Sequence, residues 1–154
     1  MRLKPSFSLE YKALAKVLEE ERITPTLQSI RDTVIRIRNS KLPDPATIGN
    51  AGSFFVNPVV SAEKFNTLQT EYPSIPSYPQ PDGSVKVPAG WLIEQCGYKG
   101  HRSGAVGVYE HQALVLVNYG GATGTQVGAL AEEIIGNVRQ KFGITLHPEV
   151  KYIL

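Results

Sequence analysis

Ser53 follows Gly52 within Lys41-Leu-Pro-Asp-Pro-Ala-Thr-Ile-Gly-Asn-Ala-Gly-Ser-Phe-Phe-Val-Asn-Pro58, a stretch that reads as a loop and also holds two aromatic residues and an Asn-Pro. The Gly49-Asn50-Ala51-Gly52 run allows positive φ and close approach of a ligand, and a serine directly after it presents its hydroxyl without a bulky neighbour. Ser53 is therefore the first candidate for chemistry. A serine nucleophile needs a base, yet His101, His111 and His147 fall in no triad-like or metal-like spacing, and Gly52-Ser53-Phe54 lacks the nucleophile-elbow pattern. Two options stay open: a hydroxyl that donates a proton to a carbanion, or one that only hydrogen-bonds a ligand. A lysine and a glutamate suit either. Lys41 leaves a basic segment beside the glycine stretch, and Glu149 follows the break at Pro148, where a carboxylate could point into a cleft or simply sit on an exposed strand edge.

The elements that must position these groups can be read along the chain. Ser8 suits the cap of a helix over 9–21 with Leu9, Ala13, Leu14, Val17 and Leu18 on its apolar face. Thr24 as cap and Pro25 at the first position open a second helix, with Leu27, Ile30, Val34 and Ile37 inward, ending before Leu42-Pro43. Arg31, Arg36, Arg38 and Lys41 concentrate positive charge there; an anionic small ligand is one reading, a solvated helix face the plainer one. Residues 53–60 read as a strand broken by Pro58, and Ser61 starts a helix to about Tyr72 with Phe65 and Leu68 inward.

Four prolines between Tyr72 and Gly83 exclude regular helix and predict an extended excursion with Tyr78 at its middle. Such a loop is often a lid, although tyrosine also packs on neighbouring prolines. Residues 84–87 are a short strand candidate, and Pro88 to Cys96 a helix stopped by Gly97, with Trp91, Leu92 and Cys96 in the core. The glycines of 100–107 match neither the Walker loop nor the dinucleotide fingerprint. The unbroken apolar run Ala113 to Val117 predicts a central strand covered on both faces. Val127, Leu130, Ala131, Ile134, Ile135, Val138 and Phe142 then repeat at helical spacing until Gly143, and the end of the chain alternates as a strand interrupted by Pro148.

These elements give one α+β domain, helices packed on a mixed, largely antiparallel sheet. Its 154 residues are 42% hydrophobic, enough for a single core. Sixteen basic against fourteen acidic side chains leave +2, too mild for a nucleic-acid surface. A lone Cys96 excludes an internal disulfide and a cysteine metal site, no apolar run is long enough to span a bilayer, and no signal-peptide core follows Met1. The expectation is a soluble, cytoplasmic protein with no metal and no membrane partner.

Six blocks carry a family resemblance: RNSKLPDP at 38–45, GNAGSFFVNP at 49–58, PAGWLIEQ at 88–95, GYKG at 97–100, ALVLVN at 113–118 and FGITLHPEV at 142–150. In this order they resemble the C-terminal part of the UDP-N-acetylenolpyruvoylglucosamine reductases. That resemblance implies peptidoglycan synthesis, in which a flavin (FAD) reduced by NADPH passes hydride to the enolpyruvyl group of a UDP-sugar, yielding UDP-N-acetylmuramate. It implies that Ser53 protonates the carbon next to the substrate carboxylate and that Glu149 helps stabilise the enolate-like intermediate. Lys41 and Asn57 match diphosphate positions, Tyr78 the tyrosine of the loop that closes over the nucleotide, and Gln112 a contact at the uridine end. The tyrosine loop and serine match the first of the family's two subtypes.

By the same resemblance residues 1–154 are a substrate-binding domain, 1–40 a helical lead-in and 41–154 the motif-bearing part, with the FAD-binding domain absent. The chain alone is then expected to lack turnover and to be either a shortened piece or part of a longer natural protein. The competing class is a non-catalytic nucleotide-sugar or partner-binding module of the same fold.

Overall fold

The computed structural model describes residues 7–9 and 12–152, and the chain divides into two compact units, residues 1–41 and 42–154. The first unit is a helical hairpin. Helix α1 (Lys12–Glu20) and helix α2 (Leu27–Lys41) bury Leu14, Leu18 and Ile37, with Ala13, Val17, Ile30 and Val34 packed around them. The expected α1 start at Leu9 runs through Glu10 and Tyr11, which lie outside the described residues. Helix α1 ends on Arg22 in the left-handed region (φ 53°), which lets the Ile23 N–H reach the Leu18 carbonyl at 2.9 Å.

Helix α2 starts two residues later than its sequence signals. Thr26, not Thr24, is the cap: its Oγ1 accepts the Ser29 N–H at 3.0 Å while Ser29 Oγ accepts the Thr26 N–H at 2.8 Å. Leu27, expected on the apolar face, is 75% exposed. It sits in the first turn, and the buried stripe begins only with Ile30 and Thr33. Arg36 pairs with Glu21 at 2.7 Å and Arg31 with Asp32 at 3.0 Å, so both belong to a solvated, locally neutralised face.

The second unit is α+β, as expected from sequence, and every strand pairing in it is antiparallel. A four-stranded sheet has the order β1-β7-β6-β5, from β1 (Gly49–Ser53), β7 (Val115–Asn118), β6 (Val106–Val108) and β5 (Arg102–Ser103). A smaller sheet has the order β2-β4-β3, from β2 (Val59–Val60), β4 (Val85–Lys86) and β3 (Tyr78–Pro79). The apolar run becomes β7, interior to its sheet, with Val115, Leu116 and Val117 all buried. Helix α5 (Gly124–Phe142) places Leu130, Ala131, Ile134, Val138 and Phe142 in the core. A reciprocal Thr123–Gln126 capping box opens it and Gly143, at φ 61°, closes it.

Helix α3 (Ala62–Glu71) is capped by Ser61 and buries Phe65 and Leu68, and helix α4 (Ala89–Gln95) buries Leu92 and Ile93, with Trp91 and Cys96 half-buried against the core. Three expectations are corrected. The glycine stretch is mostly strand, not loop, because β7 supplies its backbone partners. The proline-rich excursion is an ordered β3–β4 hairpin whose turn is closed by the Gln80 N–H on the Ser84 carbonyl at 2.9 Å. Among the described residues, 144–152 form one bridge, Phe55 to Pro148, instead of a strand, since Pro148 brings no N–H to continue a ladder.

Candidate functional site

The glycine stretch positions Ser53 through a local irregularity. Strand β1 pairs with β7 at Gly49–Asn118 and Asn50–Val117, then again at Ser53–Val115, with the register shifting in between. Gly52 takes φ 72° at this irregularity, and its N–H donates to Asn50 Oδ1 at 3.1 Å. Asn50 is itself held by its side-chain amide on the Ile48 carbonyl, 2.9 Å away. After the irregularity Ser53 is exposed, whereas Phe54 and Phe55 turn into the core with ring centroids 5.1 Å apart. Two buried aromatic anchors thus fix the backbone that carries an exposed hydroxyl.

Glu149 is brought to the same strip. Its N–H donates to the Phe54 carbonyl at 2.8 Å, and the Val56 N–H donates to the His147 carbonyl at 2.9 Å. Ser53 and Glu149 therefore belong to adjacent backbone segments, and both are exposed. Beside them an apolar hollow of about 670 Å³ is lined by Ala51, Phe54, Val127, Val150 and Tyr152.

At the far end of the strip Asn57 enters a second cavity, an open cleft of about 590 Å³. Asn57 Oδ1 accepts the N–H of Ala89, the first residue of α4, at 2.9 Å. Pro88 makes no side-chain cap there, so Asn57 caps the helix from a distant segment. With its oxygen occupied, the side chain has its NH₂ group to offer as a donor. Tyr78 and Gln112 line the same cleft, Tyr78 on β3 opposite Lys86 and 55% exposed, Gln112 on the turn ahead of β7.

Three of the six sequence candidates thus meet in one cleft, Asn57, Tyr78 and Gln112, while Ser53 and Glu149 meet on the strip leading to it. Lys41, the last residue of α2, is exposed and belongs to the first unit. Sequence reasoning missed Lys86, Lys99 and His111, which also line the cleft. Lys99 bridges Glu94 at 3.0 Å. Isolated polar surface residues look merely solvated in sequence; only β4, the turn after α4 and the turn at 109–114 bring these three to one wall. The cleft is polar and positively charged, as an anion site requires.

Among the described residues no cluster of His, Cys, Asp and Glu could hold a metal ion, and no helix is long and apolar enough to cross a membrane. Cys96 is half-buried, and burial pushes its thiol above the ordinary cysteine range.

A profile described as UDP-N-acetylenolpyruvoylglucosamine reductase, C-terminal domain, matches residues 44–153. Curated relatives called UDP-N-acetylenolpyruvoylglucosamine reductase include one from Porphyromonas gingivalis strain W83, 99% identical over all 154 residues, which make up 46% of that relative. One from Pseudomonas aeruginosa is 53% identical over 92% of the chain and 42% of its own length, and one from Bacteroides fragilis 50% identical over 96% and 44%. The chain spans less than half the length of these relatives. It belongs to the UDP-N-acetylenolpyruvoylglucosamine reductase family, and it carries that family's C-terminal domain.

Proposed function

We propose that this chain is the substrate-binding and proton-donating domain of a flavin-dependent reductase acting on UDP-N-acetylglucosamine enolpyruvate in peptidoglycan synthesis. The observation that carries the reading is the convergence of Asn57, Tyr78 and Gln112 on one cationic cleft, at the end of a strip that also bears Ser53 and Glu149. In this reading Asn57 donates its NH₂ to the diphosphate. Tyr78 covers the nucleotide from the β3–β4 hairpin, and Gln112 holds the uridine end.

The glycine stretch does not suit a flavin dinucleotide: β1 runs into buried Phe54 and Phe55 and opens no helix that could receive a pyrophosphate. FAD and NADPH are accordingly assigned to a part of the longer protein that this chain does not contain. When bound, that pair supplies hydride to the methylene carbon of the substrate. The residues here would complete the addition. The Ser53 O–H bond breaks as a C–H bond forms at the carbon bearing the carboxylate, and the alkoxide recovers a proton from its surroundings. A serine hydroxyl is a weak acid, so the step requires a strongly basic carbon and a polarised setting. Glu149, on the neighbouring segment, would help stabilise the enolate-like charge distribution. Without the flavin-binding part the chain would not turn over, and the site is one of the cytoplasm, where nucleotide sugars are made.

Two measurements test the reading. Titration calorimetry of this chain with UDP-N-acetylglucosamine enolpyruvate is expected to give heat; its absence would favour a partner-binding module. In the full-length enzyme Ser53→Ala is expected to lower kcat by about a thousandfold or more while flavin reduction by NADPH survives. An unimpaired variant removes Ser53 from the mechanism.

A further inference from the structure

Tyr78 reaches the cleft from β3, an edge strand of two residues, and its side chain is 55% exposed. Packing therefore does little to fix the ring, and the backbone beneath it has to. That backbone is short of donors. Pro79, the other residue of β3, has no N–H, and an edge strand finds a ladder partner on one side only. The side chain of Gln80 makes up the deficit: its Nε2 donates to the Tyr78 carbonyl at 2.8 Å and to the Pro79 carbonyl at 3.2 Å. Both partners are acceptors, so only the NH₂ end of the amide can face them.

The rest of the hairpin is held by other bonds. At the tip the Gly83 N–H donates to the Gln80 carbonyl at 3.0 Å, and Asp82 Oδ1 accepts the Ser84 N–H at 3.0 Å and the Ser84 hydroxyl at 2.6 Å. At the base Ile75 and Val85 are buried. Turn and base are thus secured independently, and the Gln80 amide is the side-chain bond that ties Tyr78 between them. Gln80 itself does not line the cleft.

We propose that Gln80 is a positioning residue: its side-chain amide holds the Tyr78 backbone so that the ring stands ready over the nucleotide end of the cleft, without touching the ligand. This rests on the nucleotide-sugar reading of the cleft and adds to it a residue that acts through Tyr78. A segment ordered before the ligand arrives spares binding the entropy of ordering it, and a segment that wanders lowers the apparent affinity by the fraction of time spent out of place. The loss expected on removing the amide is about threefold to tenfold in affinity, the net worth of one hydrogen bond.

Titration calorimetry of this chain with UDP-N-acetylglucosamine enolpyruvate tests this as a double-mutant cycle. Gln80→Met keeps the length of the side chain, adds no charge and loses the donor. It is expected to weaken binding by that factor while its denaturant midpoint stays at the wild-type value, since the bond lies on an exposed edge. Tyr78→Ala should also weaken binding, and adding Gln80→Met to it should change the affinity no further. A hairpin merely disordered by the substitution would misplace Lys86 as well and weaken binding in both backgrounds. Unchanged affinity in Gln80→Met, or a loss of the same size with and without Tyr78, overturns the positioning role and leaves the nucleotide-sugar reading standing. Wild-type affinity in Tyr78→Ala removes Tyr78 from that reading and this inference with it, and absence of binding by every form sinks both.

Discussion

Asn57 shows how a single side chain can hold the fold and still offer a donor to a cleft. Its oxygen holds the first N–H of α4, and its nitrogen is the group available to the cleft. The two roles separate by substitution. Asn57→Ala leaves the helix start uncapped and is expected to cost about 1 kcal/mol in a denaturant titration. Asn57→Asp keeps the acceptor for Ala89 and replaces the donor with a negative charge. It is expected to fold normally and to bind the UDP-sugar at least about tenfold more weakly, through like-charge repulsion with the diphosphate. An Asp variant with unchanged affinity would remove Asn57 from the ligand site. Tyr98 is a second informative residue. Its hydroxyl donates to Glu133 at 2.7 Å and accepts from Asn137 at 2.7 Å, and burial, reinforced by the Glu133 carboxylate, pushes its pKa up to about 12. A phenol harder to ionise in the folded state stabilises the fold fully below its unfolded pKa of 10 and loses that contribution as pH rises toward 12. Spectrophotometric titration should show a late phenol ionisation, and Tyr98→Phe should abolish that late step.

Elements were legible where local signals agreed with tertiary demand. Helix α5 has a helical period, a capping box and a terminal glycine, all pointing one way, and its bounds follow them. Thr123→Ala should cost about 1 kcal/mol by removing the cap. Ile134→Ala, at a position with no exposed surface, should cost about 2 to 5 kcal/mol. Either is read from the shift in denaturant midpoint. Strand β1 was illegible for the opposite reason. Gly49-Asn50-Ala51-Gly52 has almost no intrinsic strand preference, and only β7, far along the chain, supplies the ladder that makes it one. The same holds for Tyr78 and Pro79: prolines argue against a ladder, yet an edge strand needs few N–H groups, and β3 is an edge. Thr24 and Thr26 are equally good caps by type, and the choice went to the one that Ser29 could answer.

Across the motif-bearing unit, the candidate site was legible as residue types but not as a place. Ser53 and Glu149 stand far apart in sequence and share no local pattern; the resemblance, not spacing, linked them. Asn57, Tyr78 and Gln112 likewise belong to three segments that the cleft joins, and Lys86 reaches it from β4, Lys99 from the turn after α4 and His111 from the turn before β7.

The bridge between Phe55 and Pro148 has a consequence for the order of events in folding. Nearly the whole second unit lies between its two ends, so it closes a very long loop of that unit. Contacts of such separation form late, after local hairpins and α5. The segment bearing Glu149 would then join the segment bearing Ser53 only when residues 147–149 have docked, and a chain caught before that step would have a core and a cleft but no assembled strip. Pulsed hydrogen exchange during refolding should find the amides of Val56 and Glu149 acquiring protection after those of α5; simultaneous protection would show that the ends meet early.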